Sequence, residues 1–525
     1  MKRKNIIYQS FLMFFLIFVF SIITGCINHY ENEKYNPPIR NSLSIGINDP
    51  IFGFFPWIES YDVYTMMINM NIFNNLVDFD HILRLKPKLA ISWNNPDNLT
   101  WRFNLRENVK FHNGYNFTSE DVKFTIDLIK SNQTHVLKDL LTSVKEVRII
   151  GKYIVDIITH KPCPTLLNKL VDIPIASKKY IEENIDTWPI GTGPYKLLEY
   201  EPENYVKLEK NDEYWEDLEV KNVTFRIIEN DDEMKNASLS GEIDIASYLQ
   251  PKYYNEIMNC SSVRLGSCSH PTVVFLSFDF RENNSLAFKS EKNPFSDVRV
   301  RKAIYHTINI SEIIDNVLNG SNFAKPASQF VSPMIFGYNP TIERLPYDPE
   351  LAKSLMKDAG YEEGFELILD CPDVEDQVQI CKLLQIQLSE IIELKLNLLS
   401  IEDFYSKLTS RNSSFYIVGW HAATGDGGEI FDYMIRTVDE EAGIGTYNMG
   451  YYSNKEVDMV GENISHILNP EERLDLMQEG FKIAMDDVAW IPLYIPTIIY
   501  CISNDILWEP NPNMMIAVEE TSFKK

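Results

Sequence analysis

Residues Leu85 to Ile129 read LKPKLAISWNNPDNLTWRFNLRENVKFHNGYNFTSEDVKFTIDLI, and both kinds of regular structure can be read from them. Trp101, Phe103 and Leu105 alternate with polar residues, which is the two-residue period of a strand with one buried face. Asn113-Gly114 marks a tight hairpin, because both residues tolerate the positive φ that its turn needs. Thr118 followed by Asp121 is a variant of the capping box, in which side chains satisfy the free N–H groups of a first helical turn. The helix it opens carries Val122, Ile126 and Ile129 on one face. Strands that hand over to capped helices predict a mixed α/β protein.

The same reading extends in both directions. Leu43, Ile45 and Ile47 alternate as a strand. Further strands are expected over Tyr205 to Lys210, Asn222 to Ile228, Thr272 to Phe278, Phe365 to Leu369 and Leu394 to Leu399. Asp348 as N-cap, Pro349 at the first helical position, Leu351 and Leu355 on one face and Gly360 as the stop define a helix. Arg299 to Leu318 predicts one continuous helix ended by Gly320, and Asn469-Pro470 opens another that runs through Met485. After Asp49-Pro50 comes the aromatic cluster Phe52, Phe54, Phe55 and Trp57. Core packing is the commoner use of such residues, and lining a site is the alternative, for which Phe55 is the candidate. No solenoid period or low-complexity block occurs.

The amino terminus points to export. Met1-Lys2-Arg3-Lys4, the apolar run Phe11 to Ile23 and the small residues Thr24-Gly25 have the build of a secretory signal. The run is shorter than the roughly 20 residues a spanning helix needs. Ile23-Thr24-Gly25-Cys26 resembles the lipobox of prokaryotic lipoproteins, which implies cleavage after residue 25 and a diacylglycerol on Cys26. Residues 26–41, with Pro37-Pro38 and no apolar period, read as a tether.

Composition narrows the function. The chain has 525 residues, 45% of them hydrophobic, with a formal net charge of −26. Loss of residues 1–25 removes three basic residues and no acid, leaving −29. An acidic chain with no basic cluster disfavours nucleic acid. Exposure to an oxidising compartment permits disulfides, and Cys260 and Cys268, close together in a Ser-rich stretch, are the first expected pair. The absence of CxxC and HxxxH argues against a zinc site. Enzyme signatures are also missing: no GxSxG, HExxH, P-loop or GxGxxG occurs. No cofactor is expected.

The stretch quoted first resembles the signature of the extracellular solute-binding proteins that serve oligopeptide, dipeptide and nickel importers (family 5): P-x-LA-x-SW, F-x-LR-x-x-VKFH-x-G and T-x-EDV. Further matches follow in order. They are Gly191-Thr192-Gly193-Pro194-Tyr195, Asn211 to Trp215, Gly241 to Asp244, Pro294 to Ala303 and Tyr347 to Gly360. The resemblance implies a two-lobed periplasmic-binding-protein-like α/β fold with crossing strands near Thr272 to Asp279 and Ala489 to Tyr494. It implies lobe I from 42–274, with an inserted subdomain at about 70–188, lobe II from 275–489, and a return to lobe I over 490–525. The implied role is that of a monomeric, non-enzymatic receptor at the outer face of the cytoplasmic membrane. It would capture a peptide or peptide-like solute and deliver it to ABC permease subunits driven by a cytoplasmic ATPase. A nickel-chelate or other small-solute receptor is the alternative within the family, and an exported hydrolase or adhesion lipoprotein is the alternative outside it.

The expected ligand loop is Ser414 to Asp432, SFYIVGWHAATGDGGEIFD. In peptide-binding relatives the matching loop carries an acid that holds the peptide's α-ammonium. Here Gly419, Trp420 and Ala422 keep the frame, but Ala423 stands at that acid's position and Asp426 at a second acidic position. An ammonium buried without a counter-charge is strongly disfavoured, so Asp426, Glu429 or another acid must substitute, or the ligand lacks a free amine. Trp420, His421, Asp426, Tyr447 and Phe55 are the candidate ligand contacts, with packing the competing role for Trp420 and a solvent-facing position the competing one for His421.

Overall fold

The computed structural model describes residues 40–55, 62–131, 137–183, 188–247, 249–282 and 292–524. The leader, Cys26, most of the tether and Trp57 lie outside the described residues. The first strand, β1 (Ser42–Ile47), buries Leu43, Ile45 and Ile47 as their alternation predicts. Helix α1 (Val63–Ile72) follows, with Asp62 accepting from the N–H groups of Tyr64 and Thr65 at 3.1 and 2.9 Å.

A separate antiparallel sheet holds β2 (Ala90–Asp97), β3 (Thr100–Leu105), β4 (Val144–Gly151) and β5 (Ile154–Thr159) in the order β2-β3-β5-β4. Helix α2 (Ser119–Ser131) packs on this sheet through Val122, Ile126 and Ile129, all fully buried. Its start is the expected reciprocal cap: Thr118 donates its N–H to Asp121 Oδ2 at 2.8 Å, and Glu120 N–H reaches Thr118 Oγ1 at 3.3 Å. At the hairpin, Gly114 has φ +87°, which the turn imposes and glycine tolerates.

Val77–Phe79 and Leu85–Pro87 pair as a small two-stranded sheet, and further strands of the first half are β6 (Tyr195–Glu201), β7 (Tyr205–Lys210), β8 (Asn222–Ile227), β9 (Ile245–Ala246), β10 (Val263–Ser269) and β11 (Val273–Phe278). Beyond them lie helices α3 (Val298–Thr307) and α4 (Ile310–Asn316), strand β12 (Ala324–Pro326), α5 (Pro349–Asp358), β13 (Glu366–Pro372), α6 (Glu375–Leu388), β14 (Glu393–Leu399), β15 (Phe415–Trp420), α7 (Pro470–Asp486) and β16 (Trp490–Ser503). One twelve-stranded sheet runs β14-β13-β15-β11-β16-β9-β1-β8-β7-β6, with β10 and β12 also paired to β16.

Strand β16 joins two cores. Its first half pairs with β11 and β12 and its second half with β10 and β9. Trp490, Ile491, Leu493 and Tyr494 accordingly pack in a core built from Val274 onward, whereas Ile498, Tyr500 and Ile502 pack with Leu43 to Phe225 and the C-terminal Phe523.

Two expectations are corrected. Arg299 to Leu318 is not one helix. It breaks between α3 and α4, where Ile308 is extended (φ −88°, ψ 110°) and the Asn309 side chain caps Glu312 N–H at 3.3 Å. Gln387 holds both backbone groups of Asn309, at 3.1 and 3.2 Å, and so fixes the break. Cys260 and Cys268 are not bridged. The segment between them is mostly the extended strand β10, and an extended chain advances about 3.3 Å per residue, which carries the two thiols well beyond disulfide reach.

Candidate binding site

Strand β15 ends beside the crossing strand β11, with Trp420 opposite Val273. The chain then turns through a loop whose shape depends on Asp426. The Asp426 carboxylate is buried and accepts from Arg473 in a fork, Nη1 to Oδ2 at 2.5 Å and Nη2 to Oδ1 at 2.7 Å, while Oδ1 also accepts Gly428 N–H at 2.8 Å. Arg473 donates its Nε–H to Ile464 O at 2.8 Å, so both partners are enclosed and satisfied. A Cβ at Gly428 would come within 2.6 Å of the guanidinium and 2.8 Å of Asp426 Oδ1, which explains the glycine there. Asp426 therefore holds the loop to α7 and is committed to Arg473.

Glu429 does related work from the next turn. Its carboxylate accepts Ala423 N–H at 2.8 Å and Thr424 N–H at 3.2 Å, and burial pushes its pKa above the ordinary carboxylate range. The loop then meets the first lobe directly. Asn168 Nδ2 donates to Thr424 O at 2.9 Å, and Gly425, at φ +71°, lies so near Phe79 that a Cβ would be 3.3 Å from that ring.

Two spaces flank this contact. One is a cavity of about 260 Å³ walled mainly by apolar groups: Met66, Met70 and Phe73 at α1, Met514 and Met515 near the C-terminus, and His421, Ala422, Ala423 and Gly425 from the loop. Asp78 and Asp172 are the acids on its wall. Asp78 lies within 4.0 Å of both Lys86 and Lys88, and burial raises its pKa. The other is a more polar chamber of about 610 Å³ beyond Thr424, reached by Glu429, Asp432 and Lys169.

His421 and Ala423 thus line the smaller cavity, whereas Trp420, Asp426, Tyr447 and Phe55 stand outside its wall. Trp420 packs on Tyr447, ring centroids 4.7 Å apart, and its indole N–H is buried with no acceptor among the described residues. Phe55 is half-buried against the first core. The methionines were not foreseen. The α1 sequence VYTMMINMNI spreads Thr65, Asn69 and Asn71 among its apolar residues and shows no face by period, and the one signal at the other wall is the pair Met514-Met515.

A second imidazole accompanies His421. His270, just after β10, lies edge-on to it with centroids 5.8 Å apart. Thr272 links the two, donating its N–H to His270 Nδ1 at 3.0 Å and placing its Oγ1 3.2 Å from His421 Nδ1. Enclosure between the lobes and then the neighbouring His421 push the His270 pKa down to about 4, and desolvation lowers that of His421. With Nδ1 accepting, neutral His270 carries its proton on Nε2.

Two cores joined by one sheet, with a cavity where they meet, are the architecture of a two-lobed protein with a cleft between its lobes. The fold is that of two-lobed periplasmic binding proteins: HbpA2 from Haemophilus parasuis superposes with a TM-score of 0.83 at 21% identity, over 92% of this chain and 100% of that one. The family model of the bacterial extracellular solute-binding proteins, family 5 (middle region), matches residues 84–440, and the chain belongs to this family. It is 23% identical over 465 residues to the glutathione-binding protein GsiB of Escherichia coli K12, which covers 85% of this chain and 88% of that protein. It is 26% identical over 466 residues to heme-binding protein A of Haemophilus influenzae, covering 81% and 82%.

Proposed function

We propose that the protein is a lipid-anchored, monomeric receptor that captures a short peptide-like solute with apolar side chains between its lobes and presents it to the permease of an ABC importer. The observation that carries this reading is the cavity itself, with flexible, polarizable methionines on its first-lobe wall. Methionine adapts its shape to varied apolar groups, which suits a receptor for related peptides better than one for a single rigid solute. A volume of about 260 Å³ falls just below the usual span for small-molecule sites, about 300–1,000 Å³, and favours a short ligand. The glutathione named for the Escherichia coli relative is itself a short peptide.

The loop supports a narrower reading of that peptide. Asp426 is bound to Arg473 and Glu429 to backbone N–H groups, so neither offers a free carboxylate at Ala423. We infer a ligand whose amino end is blocked or is met by the Asp78–Asp172 side of the cavity. A metal chelate is the second reading, favoured by His421, whose Nε2 would be open to a metal that brings its other ligands with it.

Native mass spectrometry of the mature protein, followed by denaturing release of its cargo, tests these readings. A set of short peptides supports the first, and a single metal-bearing species replaces it with the second. An empty protein that binds neither class in titration calorimetry overturns both.

A further inference from the structure

Two thiols that line neither cavity are placed against each other. Cys371 is the last but one residue of β13 and Cys381 lies in the middle of α6; both are fully buried in the second core as unbonded thiols, and their Sγ atoms are 2.7 Å apart. Unbonded carbon atoms pack at about 3.5–4.0 Å, and sulfur is larger than carbon. Two thiols at rest would stand further apart. Cys163 and Cys260, by contrast, lie against the hydroxyls of Thr165 and Ser262.

We propose that Cys371 and Cys381 form an intramolecular disulfide in the mature protein, tying α6 to the sheet of the second lobe. The local chain path produces the approach. After β13, Val374 N–H bonds Pro372 O at 2.8 Å and Val378 N–H bonds Val374 O at 2.8 Å, so the helix starts at once and folds back over the strand it has left. Two turns along, its buried face, with Ile380, Cys381 and Leu384, meets Leu367, Leu369 and Cys371. Family membership places the protein outside the cytoplasm, where disulfides persist.

Closing the bond needs a two-electron oxidant, and an exported thiol–disulfide oxidoreductase in its disulfide form is the class that supplies it. One cysteine thiolate attacks the oxidant's disulfide, forms a mixed disulfide and expels one oxidant thiolate. The second cysteine, deprotonated, attacks the first cysteine's sulfur, closes the intramolecular bond and expels the other oxidant thiolate. Both cysteine sulfurs are oxidised and the oxidant's disulfide is reduced, and the two protons end on its two thiolates. Both thiols are closed off from solvent in the folded lobe, and the neighbouring Cys371 thiol, then burial, raises the Cys381 thiol pKa, so the exchange belongs to the stage before α6 seals the core.

The full-length protein, collected from the exported fraction with an alkylating agent present, is denatured without reductant, treated with a second alkylating label and mapped by mass spectrometry. The expected result is a linked Cys371–Cys381 species about 2 Da lighter than its dithiol form, labelled only after reduction in denaturant. Label on both cysteines before reduction overturns the proposal. The midpoint Tm after refolding with and without reductant gives a second readout. Wild type should lose about 5–10 °C with reductant, and the double variant Cys371→Ala/Cys381→Ala should not respond. A wild-type Tm indifferent to reductant also overturns it.

Discussion

Replacing Asp426 by Asn leaves the Arg473 guanidinium enclosed without its counter-charge, and breaking a buried pair from one side costs about 3–5 kcal/mol. D426N should therefore unfold at clearly lower denaturant concentration, with any loss of affinity following from the displaced loop. Wild-type stability with a selective loss of affinity would return Asp426 to the ligand. Ala423→Asp tests the cavity side of the same loop: it should raise affinity for a dipeptide with a free amine at least about tenfold over its N-acetyl form, the effect of roughly 1.4 kcal/mol. An unchanged ratio would show that no ammonium reaches this position.

Protonation should act at the histidines. His112, held beside the Gly191 to Gly193 turn, and His270 are both pushed down to about 4. The folded state favours their neutral forms, so unfolding takes up protons in acid. Their contribution is whole above about pH 6.5 and is lost as pH falls from there toward 4. Tm measured across that window should fall, and less steeply in His112→Asn. The loop's frame was legible in sequence because Gly419, Trp420 and Ala422 fall within four successive positions. The commitment of Asp426 was not, because Arg473 lies 47 residues away and no local pattern joins them.

Helix α1 carries two of the cavity methionines, and its C-terminus is seated by the Gly191-Thr192-Gly193 turn. Gly193 N–H donates to Ile72 O at 2.8 Å, and a Cβ there would lie 2.4 Å from the Ile72 carbonyl carbon. Gly193→Ala should destabilise by about 1–3 kcal/mol, the usual effect of overpacking, and should lower affinity by shifting Met66 and Met70. Calorimetry and denaturation on the same variant separate the two effects. Elements with strong local signals were readable in advance, such as the Asp348 cap, which accepts Leu351 N–H at 2.9 Å. The break between α3 and α4 was hidden because the apolar period continues across it, while the cause, Gln387, comes from a different helix.

At the scale of the molecule, one bond reports on how the lobes meet. Asn168→Ala removes the donor to Thr424 O, and a hydrogen bond of this kind contributes about 0.5–1.5 kcal/mol. The variant should bind its solute up to about tenfold more weakly, and its unliganded form should show a larger radius of gyration by X-ray scattering. No change in either would mean that the contact does not bias closure. The two-lobed plan could be read from the ordered motifs. The cavity could not, since its walls come from α1, the β15 loop and the C-terminal segment.

Strand β16 also sets an order of events. The first core needs Ile498, Tyr500, Ile502 and Phe523, all later in the chain than Tyr494, with which the second core closes. A chain emerging amino end first therefore displays most of its first lobe before that lobe has all its strands. The half that is synthesised first is the half that finishes last, and until β16 arrives its apolar faces lack the strand that completes them.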